Sequence, residues 1–87
     1  MKSFKELFTS EEIEIIKKYE ALADMNPQIE CGEDSTIYVF IKIMFEHPLK
    51  DGNKRFAFRW LFYCFDGRTF DKILLKKIKN FLGKEVM

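Results

Sequence analysis

His47 is the only histidine of the chain, and a carboxylate, Asp51, follows four residues later. Gly52, Asn53, Lys54 and Arg55 come directly after it. Residues 47–55 therefore bring together four kinds of chemistry. An imidazole can take a proton near neutral pH. A carboxylate is a hard oxygen ligand for Mg²⁺ carrying nucleotide phosphates. A glycine lets the backbone come close to a ligand. Two adjacent cations complement an anion. That combination suits phosphoryl or nucleotidyl transfer, which needs positioning and charge neutralisation more than covalent catalysis.

The placement of the two cations is the informative part. Lys54 and Arg55 fall in the first turn of an expected helix that starts at the Asp51-Gly52-Asn53 turn. A helix N-terminus already carries about half a positive charge, so basic residues there cost roughly 0.3–1 kcal/mol each. The conflict disappears if an anion docks at this spot. The free N–H groups of the turn, the helix dipole and both side chains then act in one direction. Taken singly, each residue has a plainer reading. Gly52 fits an ordinary Asp-Gly turn, Asp51 fits a helix N-cap, and a lone histidine can be structural. Their company is what raises the chemical reading.

The elements that must position this loop read as helical almost throughout. Thr9 with Glu12 forms a capping box, with Phe8 and Ile13 as a hydrophobic staple. Ile13, Ile16 and Tyr19 recur at helical spacing up to about Ala23. Residues 24–34, punctuated by Pro27 and Gly32, read as a loop, and Asp34 or Ser35 can cap the next helix. Ile37, Phe40, Ile41, Met44 and Phe45 form its apolar stripe, and Pro48 stops it at His47. The third helix is apolar on nearly every side from Phe56 to Phe65 except at Arg59, which marks it as central. Gly67 closes it, and Asp71 opens a last helix with Ile73, Leu74, Ile78, Phe81 and Leu82 inward and Gly83 at its end. The fold class is all-α, a compact bundle around a buried central helix.

Composition fits one small domain spanning residues 1–87. Ten Phe, three Tyr and one Trp supply buried area that a short chain otherwise lacks. A hydrophobic share of 47% excludes a disordered chain. No apolar run is long enough for a membrane span, and no signal peptide is evident at the N-terminus. Cys31 and Cys64 make no disulfide framework, and Cys64 reads as a buried free thiol. A cytoplasmic setting follows. Net charge is +1, but residues 1–46 carry −5 and residues 47–87 carry +6. The second half is thus the one suited to face an anion, although Lys72, Lys76, Lys77 and Lys79 also fit a solvated helix face.

The run His47-Pro48-Leu49-Lys50-Asp51-Gly52-Asn53-Lys54-Arg55 resembles the signature loop of the Fic (filamentation induced by cAMP) and Doc (death on curing) proteins. The Asn53-Lys54-Arg55 ending follows the Doc-like branch. The resemblance covers about residues 35–66. It implies a Fic/Doc-like helical fold in which His47 deprotonates a hydroxyl on a target protein and Asp51 holds Mg²⁺. It implies further that amides around Gly52, with Asn53, form an anion hole, and that Arg55 grips a phosphate of ATP. Lys54 leans toward phosphate transfer over AMP transfer, with a translation factor as one class of target. Leu49 stands where the family has Phe, and Phe58 stands where it has its last Arg; Arg59, one step on, is turned ~100° around the helix. Only residues 24–34 are available as a target-clamping flap. The family's inhibitory motif is absent, so restraint would come from a separate antitoxin. The enzyme reading is a Doc-like toxin. The alternative is a catalytically degenerate module of the same fold that binds a partner or nucleotide. A nucleic-acid binder using the basic half is disfavoured by the near-neutral total charge.

Overall fold

The computed structural model describes residues 3–29, 32–65, 76 and 78–80. Four helices order them: α1 (Phe4–Leu7), α2 (Ser10–Asp24), α3 (Glu33–Glu46) and α4 (Asn53–Cys64). No strand occurs among the described residues, in keeping with an all-α fold.

The start of α2 is as the Thr9/Glu12 pair requires. The Thr9 hydroxyl accepts from the Glu12 N–H at 3.1 Å, and the Glu12 carboxylate accepts from the Thr9 N–H at 2.8 Å. Two donors that would otherwise go unpaired are satisfied reciprocally. Ile16, Tyr19 and Ala23 follow at helical spacing and are buried. Residues Ile37 to Ile41 of α3 are all buried, as is Ile43. A helix covered on so many sides must have neighbours on more than one face, and α3 packs against both α2 and α4.

That arrangement corrects the expectation that α4 is the central element. Among the described residues, α3 is. Helix α4 buries Phe56, Ala57, Trp60 and Leu61 but leaves Phe58 and Phe62 exposed. An apolar run alone does not distinguish a helix enclosed all round from one with an open apolar stripe. A second correction concerns the cap of α3. Gly32 takes it, at φ 92°, a backbone conformation suited to glycine, and neither Asp34 nor Ser35 does. Helix α1 was not foreseen, since four residues are too few for any periodicity to show.

Several ties hold α4 to the rest. The Trp60 indole N–H donates to the Thr36 carbonyl at 3.0 Å. Phe8 meets Phe56, Trp60 and Tyr63 edge to face, with centroids 5.9 to 6.4 Å apart. Arg59 donates to both carboxylate oxygens of the buried Glu12, at 3.0 and 3.1 Å, and to the Leu7 carbonyl at 3.3 Å. Cys64 is a half-buried free thiol, and burial pushes its pKa up to about 12. The expected last helix lies largely outside the described residues, as do Gly67, Asp71, Ile73, Leu74, Phe81, Leu82, Gly83 and Cys31; Ile78 is helical and buried. Among the described residues, no helix is long and apolar enough to cross a membrane.

Candidate functional site

Helix α3 delivers His47. Pro48 disfavours the helical region for the residue before it, and His47 closes the helix in the left-handed conformation, φ 49° and ψ 59°. Its N–H still donates to the Ile43 carbonyl at 3.2 Å, and its side chain is exposed. A non-glycine residue in this conformation costs ~1–2 kcal/mol, and glycine is the usual occupant of such a helix end. The residue before it is fixed from two sides. The Tyr19 hydroxyl donates to Glu46 Oε1 at 3.0 Å, and Lys42 Nζ donates to Oε2 at 2.7 Å. The Lys42 ammonium holds the Glu46 carboxyl below its ordinary range, helped by the Tyr19 hydroxyl, while burial acts the other way. Burial pushes the Tyr19 hydroxyl up to about 12, and Glu46 adds to the shift.

Asn53 shapes the loop that follows. Its side-chain oxygen accepts from the Leu49 N–H and its amide donates to the Leu49 carbonyl, both at 2.8 Å. These two bonds close residues 49–53 into a ring, and Leu49 packs against the core beneath it. The Asn53 side chain is therefore spent on the loop's own backbone. What it can still offer an anion is its main-chain N–H.

The turn into α4 departs from the capped-helix reading of Asp51. The N-cap is Gly52, left-handed at φ 77°, and no side chain caps the helix. Asp51 instead accepts from the adjacent Gly52 N–H through Oδ1 at 2.8 Å. The first intrahelical bond runs from the Phe56 N–H to the Gly52 carbonyl at 2.9 Å. Hence the N–H groups of Asn53, Lys54 and Arg55 meet no acceptor among the described residues. No acidic residue lies in this first turn, and Lys54 and Arg55 are exposed.

His47 and the run from Lys50 to Arg55 line one open depression of about 480 Å³. All six residues expected at the site, His47, Asp51, Gly52, Asn53, Lys54 and Arg55, thus border the same space, though Asn53 does so with its side chain committed elsewhere. Lys50 joins them unforeseen. Asparagine's habit of bonding nearby backbone was the available signal for the loop clamp. The helical register had already turned Arg59 away from the site, but nothing local could have signalled its partner, Glu12, 47 residues distant in the chain.

The donor set bears on Mg²⁺. Among the described residues, no group of three metal-ligating side chains is present. A lone carboxylate such as Asp51 still fits this ion, which keeps several waters and takes other ligands from substrate phosphates. Comparison with family models, curated proteins and solved structures returns no match. The functional case therefore rests on the residues around the depression.

Proposed function

We infer that this chain is an ATP-dependent transferase of the Doc-like kind, moving a phosphate or AMP onto a hydroxyl side chain of a target protein. One observation carries the reading most. An uncapped helix N-terminus, two exposed first-turn cations and the sole histidine border a single depression. The backbone N–H groups at the start of α4 receive phosphate oxygens, and Lys54 and Arg55 neutralise them. Asp51 would hold Mg²⁺, which supplies further charge neutralisation to the phosphates when bound. His47 accepts the proton of the target hydroxyl as its oxygen bonds to phosphorus. The bond from that phosphorus to the departing ADP breaks for phosphate transfer; the bond to pyrophosphate breaks for AMP transfer. Lys54 and the resemblance to the Doc-like branch favour the first of these. On the same resemblance the target is a cytoplasmic protein such as a translation factor, and an antitoxin provides the restraint.

Exposed Phe45 and Phe62 favour a second reading, a module that binds a partner or nucleotide without chemistry. One experiment separates the two. The protein is incubated with cell lysate and ATP labelled at the α- or the γ-phosphate, beside a His47→Ala control. Protein-bound label from γ alone means phosphate transfer, and label from α means AMP transfer; either must vanish in the control. ATP binding with no label from either position would establish the second reading.

A further inference from the structure

The described side chains around the depression are polar or charged, apart from Gly52. Pockets that recognise a nucleobase do so with apolar walls or aromatic faces on which the ring stacks. Among the described residues, His47 carries the only ring on the wall, and the transfer reading already assigns it to the hydroxyl proton. Among the described residues, no Phe, Tyr, Trp, Leu, Ile, Val or Met lines the wall, in a chain with ten Phe. Among the aromatic residues nearest in sequence, Phe45 is exposed but does not line the depression. Phe56 is fully buried, and Phe58 packs its ring on Phe40 with centroids 5.5 Å apart.

Charge is what the wall does supply. Lys50 comes from the loop arm, and Lys54 and Arg55 from the first turn of α4. All three are exposed, and none forms an ion pair among the described residues. Against three cations and the helix end stands one carboxylate, Asp51. A single phosphate needs fewer donors than this, whereas a chain of linked phosphates can engage both arms at once.

We propose that the depression recognises the polyphosphate of its donor and not the base, with Lys50 as the third phosphate-contacting cation. This rests on the transfer reading and narrows its substrate class: ATP is one of several nucleoside triphosphates that the site accepts alike. Lys50 binds from the loop arm as a point charge, so it lends affinity to the polyphosphate whatever nucleoside is attached.

The test measures affinity of the full chain for the Mg²⁺ complexes of ATP, GTP, CTP, UTP and inorganic tripolyphosphate, and for adenosine and AMP, by calorimetry. The four triphosphates are expected to agree within about threefold and tripolyphosphate to fall within about tenfold of them, with AMP and adenosine weaker by about a hundredfold or more. Lys50→Gln should weaken all five polyphosphate ligands by a common factor of about five to ten, and Lys50→Arg should restore most of the loss. Unchanged thermal unfolding of both variants would show that the exposed site has not perturbed the fold. A preference of about thirtyfold or more for one base, or a Lys50→Gln variant that binds as the parent does, would overturn the proposal while leaving transfer from a nucleotide intact. Absence of binding by every polyphosphate would overturn the proposal together with the transfer reading.

Discussion

At the scale of single residues, the loop carries types that stability alone would replace. His47 adopts a left-handed backbone at φ 49° where glycine is at ease. Lys54 and Arg55 occupy a helix start where carboxylates are favoured. Such conflicts between local preference and observed residue are expected where function overrides stability. They lead to a prediction in which the two separate. His47→Gly should raise unfolding free energy by about 1 kcal/mol by relieving the backbone, while His47→Ala should not. Both should lose transfer. Urea unfolding with the labelling assay on the same preparations checks this, and an unchanged or lower stability of the glycine variant would show that the left-handed conformation carries no strain. The Asn53 ring over Leu49 was hidden from sequence reading for a related reason: an asparagine's partners depend on how the loop folds back, which spacing alone does not settle.

At the scale of elements, the helix–loop–helix frame of the site was legible. The Thr9/Glu12 box, the stop before Pro48 and the helix opening after Gly52 are all governed by local chemistry. The rank of the helices was not, because burial is decided by what packs on each face. The Arg59–Glu12 tie was equally out of reach, since it links residues far apart in the chain. It has a definite energetic role. Glu12 is only 6% exposed and accepts from Arg59 as well as from the Thr9 N–H. Arg59→Met leaves that carboxylate without its cation and should cost about 2–3 kcal/mol. Because Arg59 faces α2 and not the depression, nucleotide affinity should hold. A stability loss below about 1 kcal/mol would demote the pair to an ordinary surface contact.

At the scale of the whole molecule, two titrations shape stability at the extremes of pH. The Tyr19 hydroxyl is raised from 10.0 to about 12 by burial and by Glu46. A group raised in the folded state contributes its full stability below the unfolded value and loses it as pH climbs through the folded one. Stability should therefore fall between pH 10.0 and about 12, and Tyr19→Phe should flatten that fall. The Glu46 carboxyl, held low chiefly by Lys42 with Tyr19 assisting, acts oppositely. Its contribution is present above the ordinary carboxylate range and disappears as pH drops through the folded value. Thermal midpoints of parent and Tyr19→Phe across the alkaline range measure the first effect; parallel curves would contradict it. The sequence's uneven charge, −5 before residue 47 and +6 from it onward, was legible from the outset. Its focus on Lys54 and Arg55 at one helix end was legible too, whereas the capping of that helix by Gly52 and not by Asp51 was not.

Backbone amide NMR during titration with Mg²⁺-ATP tests the central claim most directly. The account predicts that the largest shifts fall on the amides of Asn53, Lys54 and Arg55, whose N–H groups are open, with the His47 ring responding beside them. Saturation with nucleotide while those three amides stay still and another surface moves would contradict it.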